Sequence, residues 1–325
     1  MKPQSTKIAL ASLTAVIAAF ALLYAVPAHS YLPMGGVSGG VLTPDNWGST
    51  PVPIEVSTNV TAAGSKLQGN TTFLTVIQNS LASWNQAPNF QTPLGSVSTS
   101  TTQVPDGSNL ICFCSSGGIF TQGDGALAVT ITSTTGTTIT AASIFFNPNP
   151  TNVCFATDSN VSSCASPSDR VQDLQTVATH EIGHFIGLDH SAIVRATMFP
   201  FAPGRETELS WDDVAGATLL YPKSALDVQT GAISGTISLT GAVFGAHVSA
   251  NSNDTTNPFG SFPNIRKSAI GTLTDPGGNY AIKGVPPGTY LVIAEPLDGP
   301  VTSSNVDWGT EFGQGLQTGF TTRFH

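Results

Sequence analysis

The segment from His180 to His190 constrains the fold more than any other part of this chain. His180 and His184 are four positions apart, so on a helix their side chains lie one above the other on the same face. Gly187 supplies the backbone freedom for a sharp turn, and His190 follows it. We therefore predict a helix that ends near Gly187 and a return of the chain that brings a third histidine beside the first two.

Three imidazoles gathered in this way form a candidate metal site. Zinc binds histidine nitrogens, and three protein ligands leave one tetrahedral position for water, which is typical of a catalytic site. Glu181 points beside such a metal, where its carboxylate can take a proton from the water. The sequence thus predicts one catalytic Zn²⁺ held by His180, His184 and His190, with Glu181 as general base. The alternative is an ordinary helix with two satisfied histidines, which Gly187 and His190 disfavour.

The charge balance restricts the partners of the chain. Its 325 residues include 20 acidic and 11 basic ones, for a net charge of −9, and no basic residues cluster. An acidic chain of this kind is poorly suited to nucleic acid or to an anionic membrane surface. We expect protein or peptide substrates, no nucleic acid partner, and a monomer whose length fits two domains.

Residues 1–30 are similar to a secretory signal peptide. Lys2 and Lys7 precede an apolar run over residues 8–26, and residues 28–30 place small side chains where a signal peptidase reads them. An uncleaved membrane anchor is the alternative, since about 19 apolar residues just span a bilayer. Both interpretations place the remaining chain outside the cytoplasm. We expect a secreted protein that has no membrane contact after cleavage.

The cysteine count fits an exported chain. An even number of cysteines in that compartment predicts two disulfides, with three possible pairings. Because a bond between cysteines two positions apart is strained, we expect Cys112 and Cys114 to pair with other cysteines rather than with each other. The four candidates are Cys112, Cys114, Cys154 and Cys164.

Hydrophobic periodicity predicts an α+β region followed by an all-β region. Residues 31–51 are rich in Gly and Pro and show no apolar period. Helices are predicted over residues 72–84, from Val171 through Ile186, and from a capping box at Ser210 to a stop before Pro222. Strands are predicted at residues 53–56, 110–113, 126–132 and 143–146.

The pattern changes after residue 226 to short alternating runs separated by Gly, Pro and Asn, which favour a small β-sandwich. These runs are residues 232–239, 245–250, 269–273, 280–283 and 289–294. We therefore divide the chain into a signal peptide (1–30), an α+β domain (31–226), a β-sandwich (227–300) and an unassigned tail or final strand (301–325).

The segment from His180 to Ser191 resembles the zinc-binding helix of the metzincin metalloproteases, and most closely that of the matrixins. Residues 196–200 resemble their Met-turn, with Met198 as an apolar floor beneath the imidazoles. Pro200 stands where astacin-like and serralysin-like relatives carry a tyrosine. The resemblance covers roughly residues 50–222. It implies a zincin domain with a mixed twisted sheet and three helices, and a zinc-dependent endopeptidase activity.

The same resemblance implies contacts with a substrate. The strand around Ala128 would be the edge that pairs with an extended peptide. Phe199 and Pro200 would line an apolar pocket for the side chain that follows the scissile bond.

The chain also departs from that family. No Pro-Arg-Cys-Gly stretch precedes the catalytic region, so cysteine-switch latency is not expected. The remaining histidines, His29, His247 and His325, do not suffice for a second, structural zinc site. The resemblance leaves room for Ca²⁺, but the sequence does not support it. The acidic residues concerned match no calcium-binding pattern and are interpreted as solvated loop residues: Asp106, Asp124, Asp158 and Asp169.

Residues 278–290, with the turn Pro286-Pro287-Gly288, resemble carboxypeptidase-regulatory-like or prealbumin-like β-sandwich modules. Such modules are usually spacers or adhesion units. This leaves one alternative function open, an inactive zincin that acts as an extracellular binding protein through its sandwich. A zinc hydrolase with a substrate other than peptides is a further alternative. The intact set of Glu181 and three histidines favours the enzyme.

Overall fold

A computed structural model describes residues 31–103, 108–114, 119–120, 125–201, 205, 207–262 and 265–324. The signal-like residues 1–30 lie outside this range. None of the helices in the described part of the chain has the length and apolar character needed to span a membrane.

The described elements include three α-helices and twelve strands up to residue 220 and are mostly strands thereafter. The helices are α1 (Phe73–Asn85), α2 (Leu174–Phe185), α3 (Trp211–Leu220) and α4 (Trp308–Phe312), with 3-10 turns at Thr61–Lys66 and Ser303–Asn305. The first nine strands are β1 (Gly35–Ser38), β2 (Val41–Pro44), β3 (Asn46–Trp47), β4 (Val52–Ser57), β5 (Leu67–Gln68), β6 (Leu94–Ser100), β7 (Leu110–Cys112), β8 (Ala128–Thr135) and β9 (Thr138–Phe146). The others are β10 (Val153–Ala156), β11 (Arg170–Asp173), β12 (Leu209–Ser210), β13 (Gly231–Thr236), β14 (His247–Ser252), β15 (Ile265–Arg266), β16 (Ile270–Leu273), β17 (Asn279–Val285), β18 (Tyr290–Glu295) and β19 (Arg323–Phe324).

The largest sheet contains both parallel and antiparallel strands, as expected for the α+β region. β6, β4, β7 and β9 lie side by side and parallel, and β3 also pairs with β9 in parallel. β8 runs antiparallel to β9 and, among the described strands, pairs with β9 alone. Within the described residues, the outer edge of β8 is therefore not paired with another strand.

Helices α1 and α2 pack together and share the main hydrophobic core. Thr72 caps α1, since its Oγ1 accepts a hydrogen bond from Thr75 N at 3.2 Å. Trp84 is fully buried and donates its Nε1–H to the Thr179 carbonyl of α2 at 2.8 Å. The predicted helix over residues 72–84 is confirmed to within one residue.

Helix α2 begins later than predicted. Residues 170–173 form β11, which pairs in parallel with β10, and Val171 therefore belongs to a strand. Asp173 ends the strand and caps the helix, because its Oδ1 accepts a hydrogen bond from Thr176 N at 2.8 Å. The expected helix start at Val171 was wrong by three residues for this reason.

Residues 31–51 contain structure that their composition did not reveal. β1 and β2 form an antiparallel hairpin whose turn is Gly39-Gly40, and both glycines have positive φ (61° and 78°). Two glycines in this conformation match the twist of a two-residue hairpin. No apolar period marks this stretch because its strands are only two to four residues long and bury few side chains each, among them Leu42 and Trp47.

The disulfides connect Cys112 with Cys114 and Cys154 with Cys164. The expectation that Cys112 and Cys114 avoid each other was wrong. Two residues of fully extended chain would separate these Cα atoms by about 6.6 Å, so the chain bends after Cys112. The two Cα atoms are 5.3 Å apart, which is within the usual range for a disulfide.

The predicted C-terminal strands are present, and they form two antiparallel sheets. β13 pairs with β17, and the second sheet has the order β16-β14-β18-β19. The unassigned tail supplies the last strand, β19, together with α4. These sheets pack directly on α3: Trp211 contacts Phe259 with ring centroids 5.9 Å apart, and a Cβ at Gly284 would lie 3.0 Å from Ala215 Cβ.

Candidate active site

Three histidines converge at the C-terminal end of α2. His180 and His184 lie one turn apart on the helix, and Gly187 ends it with φ +105°. A Cβ at Gly187 would lie 2.5 Å from the Asp45 carbonyl oxygen, so only glycine fits. The chain then returns, and His190 joins the first two. The ligand atoms of the three lie within 4.8 Å of one another, and the Nε2 atoms of His180 and His184 are 3.1 Å apart.

Each of the three rings is held by its Nδ1 atom. His180 donates to the Thr197 carbonyl at 2.7 Å, His184 to the Leu188 carbonyl at 2.7 Å, and His190 to the Asn305 carbonyl at 2.6 Å. Because a carbonyl can only accept, each Nδ1 carries the proton and each Nε2 presents a lone pair. This arrangement of oriented imidazoles is what a protein-bound zinc ion requires of its ligands.

Burial keeps the imidazoles neutral. It lowers the pKa of His180 to about 3, with a further lowering from His190. It also lowers the pKa of His184 and that of His190, and the bonds to the carbonyls of Leu188 and Asn305 act in the opposite direction. Neutral imidazole is the metal-binding form. The residues present therefore fit a metal ion, and these histidines form the one such cluster of His, Cys, Asp or Glu in the described parts of the chain.

Glu181 lines the same cleft and is 5% exposed. Burial raises its pKa to about 7, although a hydrogen bond from Thr130 acts against this. Thr130 Oγ1 lies 2.6 Å from Glu181 Oε2 and 3.0 Å from the Glu181 carbonyl oxygen. A single hydroxyl on β8 therefore orients the carboxylate, a role that the alternating pattern of that strand did not reveal.

Met198 lies beneath the histidine helix and is 2% exposed. A Cβ at Gly183 would collide with Met198 Sδ, so the absence of a side chain at Gly183 lets the two segments pack. Asp213 of α3 holds the turn: its carboxylate accepts the backbone N–H groups of Thr197 at 2.8 Å and Met198 at 3.1 Å. The same carboxylate closes the predicted capping box with Ser210.

Asp189 and His190 form hydrogen bonds with residues near the C-terminal end of the described chain. Asp189 Oδ1 accepts the His190 N–H at 2.6 Å, and Asp189 Oδ2 accepts the Asp307 N–H at 2.8 Å. Burial raises the pKa of Asp189 to about 7. Neither Asn305 nor Asp307 carries a local signal in the sequence that connects it with His190.

The histidines open onto a cleft of about 550 Å³. Ala128 and Thr130 of the edge strand line it, as do Phe199, Pro200 and Phe201. Phe199 is 7% exposed and its ring centroid is 5.8 Å from that of Phe201, which is 49% exposed. The structure thus brings together the sequence-derived candidates Glu181, Ala128, Phe199 and Pro200 with the three histidines.

The other candidates that the structure describes lie away from this cleft. Asp158 accepts backbone N–H groups from Asn70 at 2.6 Å and Asn160 at 2.9 Å, and Asp169 forms an ion pair with Lys66 at 2.6 Å. These two acids thus have protein partners in addition to solvent. Asp106 and Asp124 lie outside the described residues. His247 is buried on β14, and its Nδ1 is 3.0 Å from Glu295 Oε1.

Comparison with known proteins agrees with this geometry. Residues 120–222 match the family model described as Matrixin. Metalloendoproteinase 5-MMP of Arabidopsis thaliana is 49% identical over 57 residues, which are 17% of this chain and 16% of that protein. Metalloendoproteinase 1 of Glycine max is 47% identical over 58 residues (17% and 19% of the two chains), and karilysin of Tannerella forsythia is 45% identical over 49 residues (15% and 10%).

The chain spans less than a fifth of the length of the curated relatives it matches. The family match, in contrast, extends over all three histidines, Glu181 and Met198. The chain therefore carries a matrixin-like region that contains its candidate metal site.

Proposed function

We propose that this chain is a secreted zinc-dependent endopeptidase in which Glu181 acts as general base. The observation that carries the proposal is the set of three Nε2 atoms that face one another while each Nδ1 is bound to a carbonyl. The matrixin match and the relatives named metalloendoproteinases support the same activity. We propose a monomer that acts on protein or peptide substrates outside the cell.

His180, His184 and His190 would hold the zinc ion. When bound, zinc supplies Lewis acidity, which lowers the pKa of water and polarises a peptide carbonyl. Glu181 then takes a proton from the attacking water and delivers it to the nitrogen of the leaving amine as the C–N bond breaks. Its pKa near 7 suits both transfers at neutral pH. Thr130 keeps the carboxylate aimed at the cleft.

The open edge of β8 explains why we propose an endopeptidase. An extended peptide can add to this edge through backbone hydrogen bonds, which need no particular sequence and no chain end. The edge also carries Thr130, so a peptide bound there lies beside the Glu181 carboxylate. We propose that Ala128 contacts the substrate backbone and that Phe199 and Pro200 line an apolar pocket for the side chain after the scissile bond.

For the rest of the chain, we propose a signal peptide over residues 1–30, a matrixin-like domain over residues 31–226 and a β-sandwich module over residues 227–300. The two antiparallel sheets of the C-terminal region support the last of these.

The test is cleavage of unfolded casein by the secreted chain, with and without a zinc chelator, beside the Glu181→Ala variant. We expect cleavage that the chelator abolishes, that added zinc restores and that the variant lacks. Cleavage by the variant at the wild-type rate would refute the role of Glu181. A protein that holds one zinc ion and cleaves nothing would favour the alternative, an extracellular binding protein with an inactive zincin.

A further inference from the structure

A short C-terminal segment, residues 302–307, reaches the candidate metal centre from far away in the sequence. We name this segment the clasp. The Asn305 carbonyl accepts the hydrogen bond of His190 Nδ1 at 2.6 Å, although the two residues are 115 positions apart. The clasp and the third histidine thus meet only because the whole β region between them is folded.

A second path connects the clasp with the backbone of His190. Asp189 uses Oδ1 to accept the His190 N–H at 2.6 Å and Oδ2 to accept the Asp307 N–H at 2.8 Å. The clasp therefore holds the His190 ring directly, and it supports the His190 backbone indirectly, through the Asp189 carboxylate.

The other two histidines do not depend on the clasp. The carbonyl that holds His184 belongs to Leu188, four positions away, and the one that holds His180 belongs to Thr197, 17 positions away. Both acceptors lie within the matrixin-like region. A comparison of the three rings thus isolates the effect of the clasp on one ligand.

The clasp is itself well ordered by its own hydrogen bonds and by burial. Asn305 Oδ1 accepts the Thr302 N–H at 2.9 Å and lies 3.1 Å from Thr302 Oγ1, and Asn305 N donates to the Thr302 carbonyl at 3.0 Å. Val306 and Trp308 are buried, and Trp308 Nε1 donates to the Thr274 carbonyl of the β region at 3.1 Å. The acceptor for His190 is thus held by contacts within the protein.

From these contacts we infer that the clasp is a positioning element for the third zinc ligand, and that residues 227–324 are part of the metal centre and not a separable spacer. This inference rests on the proposed zinc site. Partners that orient a metal-bound histidine typically contribute about 10–100-fold to metal affinity. Loss of the clasp contacts should therefore weaken zinc binding and alter the geometry at the metal.

The sharpest test compares Asp307→Pro with Asp307→Ala in the full-length secreted chain. Asp307 has φ −83°, and Val306 before it is extended, so proline fits the backbone without strain. Both variants lack the carboxylate, but only the proline variant lacks the N–H that Asp189 accepts. We expect zinc affinity, measured by competition with a chromophoric chelator, to be about 10-fold weaker in the proline variant than in the alanine variant.

A second pair tests the ring contact. Asn305→Ala removes the side chain that closes the clasp, whereas Asn305→Asp keeps an acceptor for Thr302. We expect about 10-fold weaker zinc binding and a changed visible spectrum of the Co²⁺-substituted protein for Asn305→Ala, with recovery of both in Asn305→Asp. Ser303→Ala, at an exposed position of the same turn, is the matched control.

Wild-type zinc affinity and an unchanged Co²⁺ spectrum in both Asp307→Pro and Asn305→Ala would overturn the inference. If one variant does not fold, as judged by thermal unfolding of the metal-free protein, the other decides. Failure of the proposed function has a different signature, because the wild-type chain itself would then bind no zinc.

Discussion

The region from Asp173 to Met198 and the region from Thr302 to Glu311 contribute to the same site in opposite ways. The first builds it from residues that are close in sequence: a capped helix, a glycine exit and a turn that returns to the helix. The second contributes two backbone groups, the Asn305 carbonyl and the Asp307 N–H, from the far side of a β region. The candidate ligands of this site are thus close together in the sequence, whereas the groups that support one of them are far away in it.

The largest effect is expected within the locally encoded region. Glu181→Gln removes the proposed general base but keeps the shape of the side chain, so kcat should fall by about 10²–10⁴-fold. Zinc content, measured by atomic emission, should stay at one ion per chain, because Glu181 is not a ligand. Loss of the metal together with activity would show that Glu181 supports the site rather than acts on the substrate.

The next effect concerns Asp213, which links the Met-turn to α3. Asp213→Ala leaves the buried N–H groups of Thr197, Met198 and Ser210 without their acceptor. We expect a loss of about 2–4 kcal/mol in the free energy of unfolding, measured by urea denaturation. Glu208→Ala, two residues before the helix cap, provides a nearby control, and an equal loss in both variants would contradict the specific role of Asp213.

A smaller effect should appear at Thr130, whose hydroxyl connects β8 with the Glu181 carboxylate, the proposed general base. Thr130→Val removes a hydrogen bond that stabilises the Glu181 carboxylate, so the pKa of Glu181 rises. The acidic limb of the pH–kcat profile should move up by about 0.5–1 pH unit. Thr130→Ser keeps the hydroxyl and should keep the profile. A shift of the same size in both variants would argue against this hydrogen bond as the cause.

The smallest effect belongs to the remote region and concerns Glu311 of α4. Its Oε1 accepts the Gly35 N–H at 2.8 Å, and burial, with Asp189 nearby, raises its pKa to about 8. The folded pKa exceeds the ordinary value of 4.5, so ionisation of Glu311 removes stability as the pH rises from about 4.5 to about 8. Glu311→Gln keeps an acceptor and carries no charge.

The Glu311→Gln variant should therefore melt about 2–4 °C above the wild type at pH 9, when both are metal-free, and at the same temperature at pH 4.5. Differential scanning calorimetry at the two pH values measures this difference. A stabilisation that is independent of pH would show that the charge is not responsible.

Local patterns in the sequence predicted the elements that local interactions determine. The three histidines, the Ser210 capping box and the stop after Leu220 each depend on residues a few positions apart, and the structure confirms these elements. The predicted start of α2 was wrong because β11 pairs with β10, and this pairing overrides the apolar period at Val171. The predicted cysteine pairing was wrong because a general argument about strain did not consider the bend after β7, which brings the Cα atoms of Cys112 and Cys114 to 5.3 Å.

Local sequence patterns could not predict the residues that orient Glu181 and His190, and the reason is physical. Thr130 contacts Glu181, which is 51 positions away in the sequence, and Asn305 contacts His190, which is 115 positions away. Such contacts form only once the strands have paired. Neither residue has a distinctive neighbour in the sequence, since one lies in a plain alternating strand and the other in a polar turn. Roles of this kind follow from topology, which periodicity does not encode.

We expect the three oriented Nε2 atoms to hold one zinc ion. The measurement is a crystal structure of the chain with anomalous data collected on both sides of the zinc absorption edge. We predict one anomalous peak about 2.0–2.1 Å from Nε2 of His180, His184 and His190, with the Nδ1 contacts to Thr197, Leu188 and Asn305 retained. Zinc bound elsewhere, or by a set of ligands without His190, would contradict the account.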